Sequence, residues 1–141
     1  MSNSPAYMLI FRDTTPEVYA EMSADQRRTL LDRWNGWCDE IAEAGRMQAG
    51  HPLHDGGIVV SAGGRRAMDG PFAEAKEMVG GYIIVTGSEA DAVAIADRCP
   101  LLEHGMTVEV RPVAPACHLA LSLGWETMRG PEAAAAPVRG G

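Results

Sequence analysis

Tyr7-Met8-Leu9-Ile10-Phe11 is an unbroken apolar run of strand length with aromatic residues at both ends, and it reads as a central strand. Ser23-Ala24-Asp25-Gln26 has the form of a capping box and opens a helix. Leu30, Leu31, Trp34, Trp37, Cys38 and Ile41 then recur at steps of three and four, so they share one stripe, while Asp32, Arg33, Asp39, Glu40 and Glu43 fall elsewhere. Gly45 followed by Arg46 predicts the stop. Between Met47 and Met68 the chain is rich in turn formers around one β run, Ile58-Val59-Val60, which predicts a hairpin whose loop contains residues 51–57; Gly63-Gly64 is a further turn signal. Gly80 to Val85 is a second apolar strand, Ser88 to Asp91 repeats the capping pattern, and Pro100 ends the second helix. In the last strand, Thr107 to Val113, Val108 and Val110 alternate with Glu109 and Arg111, giving one apolar and one charged face.

The order strand, helix, two or more strands, helix, strand is the split βαβ pattern of a ferredoxin-like α+β domain with an antiparallel sheet. Two helices cover one face of such a sheet, yet both apolar strands carry side chains that prefer burial on both faces. A second copy of the chain is the simplest cover, and a dimeric α/β barrel is the expected assembly. We expect a domain over residues 1–116 and a C-terminal extension, 117–141, in which 117–128 has room for a short helix and the Ala-, Pro- and Gly-rich end has little reason to pack.

Composition narrows the partners. The 141 residues suit one domain, and the net charge of −7 with a single lysine, Lys76, argues against direct binding of nucleic acid. The apolar runs are too short for a membrane span or a signal peptide, which gives an expectation of a cytoplasmic protein without a membrane partner. Cys38, Cys99 and Cys117 are odd in number, widely spaced and lack a metal-type pairing, so reduced thiols are expected, with no metal and no cofactor.

Asp69-Gly70-Pro71-Phe72-Ala73-Glu74-Ala75-Lys76-Glu77 followed by Gly80-Gly81-Tyr82 resembles the signature of the YCII-related or DGPF-domain family. The opening Tyr7-Met8-Leu9, Ala44-Gly45-Arg46, Asp91-Ala92, Ile95-Ala96 and Val108 to Val113 agree with it, so the resemblance covers about residues 6–113. It implies a ferredoxin-like fold assembled as a dimeric barrel. For function it implies two alternatives: a small-molecule enzyme of lyase type working through an acid/base carboxylate, or a non-catalytic ligand- or protein-binding module tied to sigma-factor-dependent transcription. Smaller YciI-like relatives place a pocket histidine where this chain has Trp34, and an indole offers only a donor, so a His/Asp pair does not carry over.

Asp69 is the catalytic candidate from the motif; its carboxylate either fixes the Asp-Gly-Pro turn or, facing a semi-apolar pocket, moves a proton. His54 is the second catalytic candidate, because His51 and His54 are the side chains best suited to chemistry near neutral pH. Trp34, His51, Phe72, Tyr82 and Arg111 are the ligand-binding candidates. Trp34 is read as core or as a flat pocket wall, Phe72 as a loop anchor or a stacking surface, and Arg111 as a cross-strand partner or a lone positive charge in the pocket.

Overall fold

The structure, a computed structural model, describes residues 5–13, 17–54, 56–67 and 78–130. Its elements run β1 (Ala6–Asp13), α1 (Glu17–Ala20), α2 (Ala24–Glu43), β2 (Met47–Pro52), β3 (Ile58–Ser61), β4 (Gly64–Ala67), β5 (Met78–Thr86), α3 (Glu89–Asp97), a single 3₁₀ turn (Leu102–His104), β6 (Thr107–Pro112) and α4 (His118–Ser122).

Both long helices begin where the sequence places them. The Ser23 hydroxyl accepts from the Gln26 N–H at 3.1 Å, and the Ser23 N–H donates to the Gln26 side chain at 2.9 Å. Ser88 and Asp91 repeat that exchange at 3.1 and 2.9 Å. Each box satisfies two N–H groups that a helix start otherwise leaves unpaired. Gly45, at φ +73°, ends α2 in the left-handed conformation, and the Arg46 N–H folds back to the Ile41 carbonyl at 3.1 Å.

The main sheet is antiparallel in the order β2-β5-β1-β6. β5 lies between β1 and β2, and β1 lies between β5 and β6, so the passages β1-α2-β2 and β5-α3-β6 interleave; the chain is α+β. Leu9 sits opposite Ile83 on one side and Val110 on the other. Leu9 and Val85 are fully buried in a core that takes Trp37 and Ile41 from α2 and Ala92 and Ala96 from α3. Both helices therefore cover the Leu9 face. Alternation puts Met8, Ile10, Tyr82 and Ile84 on the other face, where each stays partly buried.

Within one chain the strands form an open sheet among the described residues. One expectation needs correcting. The stretch expected to be a hairpin loop from His51 is in part a strand: β2 runs through His51 and Pro52 and pairs with β5, while Ile58–Ser61 pairs with β4 across the Ala62-Gly63 turn. Gly50, His51 and Pro52 look like turn chemistry, but ladder hydrogen bonds come from the backbone, and β2 is an edge strand, where a terminal proline is tolerated. The helix α4 falls within the stretch left open for one.

Candidate functional site

Under the N-terminal half of α2 the helix and the sheet part, leaving a cleft of about 730 Å³. Arg27, Leu30, Leu31, Trp34 and Cys38 recur at three to four residues and bring one helical face onto it. Phe11, Met47, Ile83, Leu101 and Met106 supply most of the apolar wall.

The sheet side is shaped by two small residues. Gly50 lies opposite Ile83 and Gly81 opposite Phe11, so both occupy the helix-facing side of neighbouring strands. A Cβ at Gly50 would stand 2.7 Å from Ile83 Cγ2, and one at Gly81 would stand 2.9 Å from the His51 carbonyl oxygen. Larger residues would have to push β2 and β5 apart, so glycine here both keeps the strands together and leaves the floor of the cleft bare.

At the end of β1, alternation brings Asp13 to the same face as Leu9 and Phe11. The pairing with β5 slips there: Phe11 meets Gly81 and Arg12 meets Val79, leaving Gly80 as the extra residue of a bulge. Asp13 Oδ2 lies beside Gly80, 3.4 Å from where a Cβ on that residue would stand. Tyr19, on α1, donates its hydroxyl to Asp13 Oδ1 at 3.0 Å. Burial, then the charge of Asp13, pushes the Tyr19 phenol well above its ordinary ionisation range. The phenol therefore stays a neutral donor, and the pair presents one carboxylate to an otherwise largely apolar space.

Trp34 is partly buried and borders the cleft, with its ring 5.0 Å from Phe11 and 5.1 Å from Trp37, both edge-on. It serves both packing and wall. Trp37 is buried and donates its indole N–H to the Ile95 carbonyl at 3.1 Å, tying α2 to α3. Burial raises the Cys38 thiol above its usual range and pushes Cys99 up to about 11, so both remain protonated thiols near neutral pH.

The residues predicted from sequence separate into three groups. Trp34 lines the cleft from α2; His51 and Tyr82 border it through their strands, but alternation turns both side chains to the outer sheet face, where they share a 2.8 Å hydrogen bond between His51 Nδ1 and the Tyr82 hydroxyl. His54 is exposed past β2 and lies outside the cleft wall, as does Arg111, which is 3.5 Å from Glu109 on the Met8 face; Arg12 reaches the same Glu109 at 3.0 Å across β1 and β6. Asp69 and Phe72 lie outside the described residues. Asp13 and Tyr19 were missed by the sequence reading. The available signal for Asp13 was its place two residues beyond Phe11, which continues the buried face of β1 with a charge. Tyr19 had none, because a four-residue helix leaves no periodicity to read. Among the described residues, no group of three or more His, Cys, Asp or Glu side chains is placed to hold a metal ion, and no helix is long and apolar enough to cross a membrane.

Residues 6–116 match the family model of the YCII-related domain. The chain therefore belongs to the YCII-related family. A search of curated proteins finds no match.

Proposed function

We propose that this YCII-related chain binds a small, largely apolar molecule in the cleft beneath α2, with Asp13 as the carboxylate that accepts a proton from it. The observation that supports this is the Asp13–Tyr19 pair: one anionic group held by one neutral donor at the wall of a space whose remaining lining is mostly aromatic and aliphatic. Such a carboxylate suits a reaction of lyase type. Asp13 takes a proton from carbon, the C–H electron pair becomes the new double bond, and a leaving group on the adjacent carbon departs with its bonding pair.

The proposal includes a ferredoxin-like homodimer in which a second copy covers the outer sheet face and completes a barrel, as Met8, Ile10 and Ile84 on that face favour. A cytoplasmic setting goes with it. Tryptophan fluorescence titrations with small aromatic compounds test the cleft: Trp34→Ala is expected to weaken binding by about tenfold or more, the scale of one lost aromatic contact. An unchanged affinity in a folded Trp34→Ala variant overturns the assignment. Asp13→Asn is expected to abolish turnover of any substrate while binding of a neutral aromatic compound survives. Sedimentation at micromolar concentration is expected to show the dimer, and a lone protomer would overturn that part.

A further inference from the structure

The cleft beneath α2 makes a more specific demand on its ligand. A partly buried carboxylate in a mostly apolar space is undersupplied when, among the described residues, a single neutral hydroxyl serves it, because removing a charge from water is costly unless opposite charge or several donors replace the lost solvation. Tyr19 fills Oδ1 of Asp13. Oδ2 rests over Gly80, where there is no side chain to crowd it. Phe11, Tyr19 and Trp34 bring three aromatic side chains to the same cleft. Aromatic rings beside a carboxylate are the surroundings that favour a cation, through direct charge pairing and through attraction to the ring faces.

Among the described residues that line the cleft, the opposing charge is Arg27. It also borders the cleft, but from the first turns of α2 and on an exposed side chain, where water already solvates the guanidinium. The carboxylate is therefore the more deeply placed of the two charges.

We infer that the cleft selects small aromatic amines in their protonated form, with the ammonium on Asp13 and the ring against Trp34 and Phe11. This rests on the reading of the cleft as the ligand site and adds the charge class of the ligand.

Three probes that share one ring test it: 2-phenylethylamine, 2-phenylethanol and phenylacetate, titrated calorimetrically into the full chain at neutral pH. The amine is expected to bind about tenfold or more tighter than the alcohol, the ratio that one charge-assisted hydrogen bond supports, and the acid weakest. In Asp13→Asn that preference is expected to fall to within about twofold while 2-phenylethanol binding persists. Equal binding of amine and alcohol, both lost in Trp34→Ala, overturns the charge class and leaves the cleft reading standing. Tightest binding of phenylacetate overturns it in favour of Arg27. Binding of none of the three overturns both. Should Asp13→Asn not fold, the order of the three probes on the unaltered chain decides, together with the salt dependence of the amine's affinity.

Discussion

One sheet face is covered in two ways. Where α3 lies on β1 and β6, the small residues belong to the helix: Ala92 and Ala96 are buried at 1% and 7% exposure against the side of the sheet carrying Leu9 and Val85. Under the first half of α2, the small residues belong to the strands, at Gly50 and Gly81, and the helix brings the bulk with Leu30, Leu31 and Trp34. Small helix residues let the backbone settle onto branched strand side chains and close the gap. Bare strand positions beneath large helix residues do the reverse, because the bulk props the helix away and no side chain rises from Gly50 or Gly81 to fill the space. A close-packed half and a hollow half thus come from exchanging which layer carries the small residues.

The sharpest way to break this contrast is in the closed half. Leu9→Ala removes a fully buried side chain and is expected to cost about 2–5 kcal/mol in urea unfolding. Ala92→Leu, which forces bulk onto the helix where none fits, is expected to cost about 1–3 kcal/mol by the same measurement. In the hollow half Leu31, 59% exposed on the cleft rim, is the control: Leu31→Ala is expected to change stability by no more than about 0.5 kcal/mol while altering ligand affinity. A loss as large as that of Ala92→Leu would show the two halves to be equally packed.

Alkali and thiol reagents sharpen the comparison further. The Tyr19 phenol ionises later in the folded chain than in the unfolded one, so the unfolded chain binds fewer protons once pH passes the ordinary phenol range near 10. Stability is therefore expected to fall as pH rises through that range, and Tyr19→Phe is expected to flatten the slope in pH-dependent urea unfolding. With Ellman's reagent, exposed Cys117 is expected to react first, partly buried Cys38 more slowly, and Cys99, whose thiol burial pushes up to about 11, only as the chain opens.

The elements announced by periodicity and caps were legible in the sequence: the apolar runs of β1 and β5, both capping boxes, and the αL stop at Gly45. The edge strand β2 was not, since its residues look like a turn and only pairing with β5 makes them a strand. The site divides similarly. Trp34, His51 and Tyr82 stand out as residue types, but the structure separates them: Trp34 borders the cleft, while His51 and Tyr82 pair on the opposite face of the sheet. Asp13 and Tyr19 are common residues whose chemistry comes from a 3.0 Å contact between a strand end and a one-turn helix, a relation no local pattern encodes.

The bulge at Gly80 makes the cleft adjustable by length as well as by composition. Removing that one residue would bring β5 into step with β1 while Met78 and Val79 keep Asp13 and Arg12 as partners, so the strand would lose its bulge and Asp13 the small residue beside it. Everything from Gly81 onward would keep its partners, so the buried layer would not register the change. Descendants of this chain thus have a route to a new pocket mouth through a single-codon deletion, with the interior that holds the molecule together left untouched.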